Sequence, residues 1–206
     1  MSRPILITGF NPFGGASRNP SQAVVEAVAE TELVRAEILP TEFERAGRRI
    51  AELLEELKPA AWIGFGLHEG ATGVVLERQA FNLDDARIAD NAGDQRQGRP
   101  IEPGGREVLA STLPLEQIAA ELQDHGIPVT FSDSAGRFVC NHVFYKALST
   151  LAAAGLWVPA GFVHLPWPIE WGPAKAFHEV GVHALIEAAT ICVAQTKSIL
   201  QIHASR

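Results

Sequence analysis

A chain of 206 residues that is 47% hydrophobic and 20% charged carries enough apolar material to bury a sizeable core as one domain. Its formal net charge of −7, with no local run of lysine or arginine, excludes a general binder of nucleic acid or anionic membrane, because nothing offsets phosphate repulsion. No window approaches about 18 uninterrupted apolar residues, so no membrane span is expected. The opening "MSRPILITGF" is too short for the core of a signal peptide and lacks its cleavage site, which points to the cytoplasm. Two cysteines, Cys140 and Cys192, cannot build a disulfide framework, and neither a CxxC pair nor an HExxH pattern offers a metal site.

Along the chain, strand and helix patterns alternate. "PILITGF" is an apolar run suited to a buried strand, ended by the Gly- and Pro-rich loop "NPFGGASRNPS". Ser21 is placed to cap a helix over "QAVVEAVAETEL". "VRAEILP" alternates like a strand and leads into "TEFERAGRRIAELLEELKPA", where Thr41 and Glu44 have capping-box spacing. "AAWIGFG" is another buried strand, and "TGVVLERQAFN" alternates with period two. Residues 83 to 105 are Gly-, Asp- and Pro-rich and too long for an ordinary connection, which marks a functional loop. "LPLEQIAAELQDHG" predicts a helix, "IPVTFSDS" a strand, Cys140 to Ala154 a helix closed by Gly155, and "AGFVHLP" a strand. "KAFHEVGVHALIEAATICVAQTKSI" predicts the last helix. The pattern implies one α/β domain over residues 1 to 206, a mostly parallel sheet between helical layers, with ligands gathered where strands end and helices begin.

"GFGLHEG" spells GxGxxxG after a strand, close to a dinucleotide fingerprint. That fingerprint needs a helix N-terminus directly after the glycines to hold the pyrophosphate. Here a strand-like alternation follows, so the nucleotide reading is set aside.

Cys140 opens a predicted helix after a strand and loop, where unpaired amides and the macrodipole favour an anion. A thiol so placed has its pKa lowered, thiolate is the nucleophile, and the same amides suit an oxyanion. Otherwise a free cysteine is simply a small core residue, which is the reading for Cys192 on the apolar face of the last helix. A nucleophile needs a base. His142 lies roughly 200° around the helix from Cys140 and so points away, to pack or cap. His164 stands at the end of a buried strand, as either a satisfied core histidine or a catalyst. Glu77 is a charge inside an apolar strand, costly unless paired. It either pairs with Arg78, faces solvent, or orients an imidazole.

Four stretches, "TGFNPFGG…NPS", "LERQAFNLDDARIADNAGDQ", "SAGRFVCNHVFY" and "GFVHLPW", together resemble the pyroglutamyl peptidase I (pyrrolidone-carboxylate peptidase) family over about residues 5 to 170. The resemblance implies a three-layer α/β sandwich and a cysteine peptidase that removes N-terminal pyroglutamate from peptides. It also implies, in bacterial members, often a tetramer, and Trp157, Trp167 and Trp171 are candidates for exposed, self-associating surface. Carried over, the catalytic set is Cys140 as nucleophile, His164 as base and Glu77 as orienter, acting with no metal or organic cofactor. Phe10, Phe13, Thr41, Ile88, Phe138 and Val139 would surround the substrate ring, with Phe10 and Phe13 sandwiching it, and Arg87 and Asp90 would support the site. The chain departs from the family's common Gly-Gln-Ala-Gly-Gly-Arg at Leu67, Glu69 and Ala71, and from a common asparagine at Asp133. A carboxylate at Glu69 that reached the entrance would shift leaving-peptide preference. Two other readings stand beside this one: a non-catalytic binder of lactams or capped peptides, and a cysteine amidohydrolase acting on a small cyclic or acyl amide.

Overall fold

The computed structural model describes residues 3–29, 34–172 and 180–204. Its elements run β1 (Ile5–Phe10), α1 (Pro20–Val28), β2 (Val34–Leu39), α2 (Phe43–Leu57), β3 (Ala61–Leu67), β4 (Val74–Glu77) and β5 (Gln79–Phe81). They continue with β6 (Val108–Ala110), α3 (Leu115–Asp124), β7 (Val129–Ser132), α4 (Val139–Ala153), β8 (Ala160–Leu165) and α5 (Val182–Ala204). The six-stranded sheet has the order β2-β1-β3-β8-β4-β7, and β5 pairs with β6 in a separate antiparallel ribbon. Every neighbouring pair in the main sheet is parallel except β4 with β8. The mostly parallel, mixed sheet between helical layers is therefore what the chain forms.

Alternation along each strand sorts side chains to two cores. Ile63, Val163 and Leu165 face the layer of α1, α3 and α5, while Trp62 and Phe162 face α2 and α4. The second layer matters most for function. Gly64 and Gly66 of β3 stand on that face, where an added Cβ would lie 2.5 Å from the Phe162 ring and 2.8 Å from Cys140 Sγ respectively. The glycines of "GFG" thus make room for an aromatic ring and a thiol, not for a phosphate.

Two caps differ from expectation. Asn19, not Ser21, caps α1: its Oδ1 accepts from the Ser21 N–H at 3.0 Å, and Pro20 takes the first helical position, which requires no N–H. The Thr41–Glu44 box does not form. The cap residue of α2 is Glu42, whose carboxylate accepts from Arg45 rather than from a helix amide, and the Phe43 N–H instead donates to Asp90 Oδ2 at 2.8 Å. A carboxylate from the long loop thereby satisfies an orphan amide and meets the positive end of the helix dipole. The helix expected to Leu33 is helical to Val28; residues 30–33 lie outside the described residues, as does the predicted start of the last helix at 175–179. Trp157 is 89% exposed, but Trp167 and Trp171 are half-buried and meet edge to face at 6.3 Å.

Candidate active site

The antiparallel β4–β8 pair brings a carboxylate to an imidazole. His164 lies opposite Val75, so Glu77, two residues on, is its diagonal neighbour on the same sheet face. His164 Nδ1 and Glu77 Oε1 are 2.7 Å apart, both residues are buried, and Glu77 Oε2 is buried without a hydrogen-bond partner among the described residues. Such a carboxylate is tolerable only beside a group that can carry positive charge. Burial opposes the imidazolium, yet hydrogen bonds and charge from Cys140 and Glu77 outweigh it, and the His164 pKa is pushed up to about 9. Arg78 does not pair with Glu77. Its guanidinium lies 4.4 Å over the Phe131 ring and reaches Asp133 at 3.7 Å. The Asp133 side chain is largely exposed.

Cys140 comes from the other direction. The loop after β7, with Gly136 at φ 76°, delivers Phe138 in extended conformation as the cap of α4, and Cys140 is the second helical residue. The first backbone bond of the helix runs from the His142 N–H to the Phe138 carbonyl at 3.1 Å, so the amides of Val139, Cys140 and Asn141 precede the intrahelical ladder. Gly66, paired with His164 in the β3–β8 register, lets the half-buried Sγ settle against the sheet beside the imidazole. Cys192 is fully buried in the opposite core, and burial pushes its thiol up to about 12.

Cys140 and His164 open onto a cavity of about 210 Å³, lined among others by Phe10, Phe13, Thr41, Leu67, His68 and Phe138. Phe13 packs against Phe138 at 5.9 Å and Phe10 against Phe162 at 6.3 Å. The two expected sandwich partners each have another aromatic neighbour. Thr41 is fixed by Asn11, whose Oδ1 accepts its N–H at 2.7 Å and whose carbonyl accepts its hydroxyl at 2.9 Å. Val139 is fully buried in the core of α2 and α4 and does not line the cavity. Ile88 also lies outside it, on an adjoining groove. Asp90 holds the long loop by accepting from Phe43, Ala92 and Asp94 N–H, whereas Arg87 is exposed and is held through its carbonyl by Gln95.

His142 points away from Cys140 as expected, but its partners, and those of Asn141, escaped sequence reasoning. His142 Nδ1 is 2.9 Å from buried Asp84 Oδ2, which also accepts from Arg96 Nη1 at 3.0 Å. This second carboxylate–imidazole pair faces α2, away from the thiol, and ties the long loop to α4. The His142 ring meets Phe43 edge-on at 5.6 Å, and Phe43 meets Phe138 at 5.4 Å, so the anchor buttresses the cavity wall. Asn141 acts like a strand edge: its Oδ1 accepts the Phe81 N–H and its Nδ2 donates to the Phe81 and Leu83 carbonyls. Polar residues on an otherwise apolar helix were the available signal.

A thiol at a helix N-terminus beside a buried imidazole–carboxylate pair, at the carboxyl ends of interior sheet strands, is the arrangement of a cysteine-type hydrolase. The chain belongs to the pyroglutamyl peptidase family, whose sequence pattern matches residues 3–195. It is 38% identical over 167 residues to a pyrrolidone-carboxylate peptidase of Thermoanaerobacter sp. (strain X514), covering 79% of this chain and 82% of the relative. A pyrrolidone-carboxylate peptidase of Bacillus mycoides (strain KBAB4) is 36% identical over 200 residues, covering 91% and 93%. The fold is similar to the pyrrolidone carboxyl peptidase of Thermococcus litoralis, with a TM-score of 0.93, 33% identity, and 98% and 96% of the two chains covered. Pyroglutamyl peptidase I of Bacillus amyloliquefaciens gives a TM-score of 0.89, 32% identity, and 96% and 98% coverage.

Proposed function

We propose that this chain, acting as a single catalytic unit, removes the N-terminal pyroglutamyl residue from peptides, with Cys140 as nucleophile, His164 as acid–base group and Glu77 as its orienting carboxylate. The observation that carries the proposal is the meeting of Cys140 and the Glu77-held His164 at one small, aromatic-walled cavity. Cys140 Sγ attacks the carbonyl carbon that joins pyroglutamate to the next residue. The oxyanion that forms faces the free amides at the start of α4. His164, protonated, gives its proton to the departing amine as the C–N bond breaks, leaving a thioester on Cys140. It then takes a proton from water, whose oxygen attacks the thioester and releases pyroglutamate and the thiol. Glu77 fixes the imidazole through Nδ1 throughout.

The cavity also supplies the specificity. Pyroglutamate is a neutral lactam, whereas proline has a ring of the same size with a protonated amine and no ring carbonyl. Burying that charge unpaired, or leaving a site group without its partner, costs on the order of 1–3 kcal/mol or more each. Sites built to bond a polar substrate group reject analogues lacking it by roughly 10⁴-fold. Pyroglutamyl amides are therefore expected to be cleaved at least about 10³-fold better than prolyl or glutaminyl amides, read as kcat/KM. Comparable turnover of prolyl and pyroglutamyl substrates contradicts the proposal. Binding of pyroglutamyl amides without turnover favours the non-catalytic reading.

A reduced nucleophilic thiol suits the cytoplasm, which we include in the proposal. Self-association into a homo-oligomer, a tetramer by the family resemblance, is supported by the 89% exposure of Trp157 and the 55% exposure of Ile169.

A further inference from the structure

A cavity of about 210 Å³ is smaller than a typical ligand pocket and takes one small residue, so the rest of a peptide must lie outside it. A shallow groove of about 580 Å³ begins where the cavity ends, and the two share Phe13, His68, Gly136 and Phe138. His68 marks the junction: its ring meets that of His164 edge to face at 5.7 Å. In the proposed mechanism His164 protonates the leaving nitrogen, so the leaving chain starts beside His68.

Among the described residues, four charged side chains line the groove: Glu69, Asp85, Arg87 and Arg137. Asp85 and Arg137 satisfy each other at 3.4 Å, and Asp85 also accepts the Gly98 N–H at 3.1 Å. Among the described residues Glu69 and Arg87 have no ion-pair partner in their own chain. Glu69 directly follows His68 on the β3–β4 connection, while Arg87 belongs to the long loop that supplies the wall containing Ile88. The Glu69 carboxylate, one residue past the junction histidine, thus stands in the groove without an ion pair among the described residues.

We propose that this groove receives the leaving peptide and that Glu69 selects a basic side chain on the residue immediately after pyroglutamate. The inference rests on the peptidase reading above and assigns a substrate class within it. Glu69 is exposed, so its effect is a few-fold and screened by salt, not a determinant of whether cleavage occurs.

The test measures kcat/KM for pyroglutamyl-lysine amide, pyroglutamyl-alanine amide and pyroglutamyl-glutamate amide on the full chain. At low ionic strength the lysine substrate is expected to be favoured over the glutamate substrate by about 3- to 10-fold, and the ratio shrinks in 1 M salt. Glu69→Gln brings the ratio to within about 2-fold of unity, and Glu69→Lys inverts it. Cleavage with a ratio that Glu69→Gln leaves unmoved, or a preference for the glutamate substrate in the unsubstituted protein, overturns the subsite alone. Failure to cleave even the alanine substrate overturns the peptidase reading and this inference with it.

Discussion

Replacing Gly66 with alanine places a Cβ 2.8 Å from Cys140 Sγ and 2.9 Å from the Phe162 ring, closer than real side chains approach. Gly66 lies within β3 and lacks a positive φ, so the backbone accepts alanine and the whole penalty is steric. Either β3 and α4 separate locally or the thiol swings away from His164. Overpacking of this kind costs about 1–3 kcal/mol. A chain of this size loses about 2–4 °C of Tm per kcal/mol, so the expected fall is about 2–12 °C. Activity is more sensitive, because a misplacement of about 1 Å at reacting atoms costs about 100-fold. Gly64→Ala serves as the comparison: its nearest contacts would be Phe162 at 2.5 Å and Trp62 at 2.7 Å, two aromatic rings rather than the thiol. Initial rates on a pyroglutamyl-aminocoumarin substrate and thermal melts at one pH separate the two effects. Gly66→Ala should lose at least about 10-fold more kcat than Gly64→Ala at a similar fall in Tm. A folded Gly66→Ala protein with undiminished kcat, or equal kcat losses in the two variants, refutes the packing of Cys140 against β3.

The His164 pKa, raised from 6.5 to about 9, makes its charge stabilise the fold fully below 6.5 and progressively less as pH rises through about 9. kcat/KM should therefore fall on an alkaline limb near that value, and Glu77→Gln should move the limb to lower pH by removing a group that holds the proton; an unmoved limb counts against the pair. His164→Ala should cost at least about 10³-fold in kcat, whereas His142→Ala costs about 10-fold or less. The main loss in His142→Ala is about 1–3 kcal/mol of stability, from the bond withdrawn from buried Asp84. A larger kcat loss in folded His142→Ala would reassign the base.

The layered α/β plan was legible because strand-length apolar runs alternate with helix-length amphipathic ones, and the place of Cys140 at a helix start because a strand and a loop precede it. The partnership of Glu77 with His164 was not, on residue pattern alone. Those residues are 87 apart, and alternating strands and helices imply parallel neighbours, whereas the pair meets only because β4 runs antiparallel to β8. Capping at Thr41 failed for a related reason. The local spacing was correct, but Asp90, 47 residues beyond Phe43, competes successfully for the same helix end. The anchor of Asp84, Arg96 and His142 leaves no periodic trace, since its members lie in a loop and on one helix turn. Of the ring contacts that the resemblance implies, Ile88 lies in the adjoining groove and the Val139 side chain in the core of α2 and α4, placements that sequence position alone does not fix.

Trapping the acyl-enzyme bears most directly on the central claim. The protein is mixed with a pyroglutamyl substrate, quenched in acid within the first turnover, digested and sequenced by mass spectrometry. The account predicts the mass of one pyroglutamyl group on Cys140, none on Cys192, and none in Cys140→Ala. Rapid turnover by Cys140→Ala, or a pyroglutamyl group carried by another residue, contradicts it.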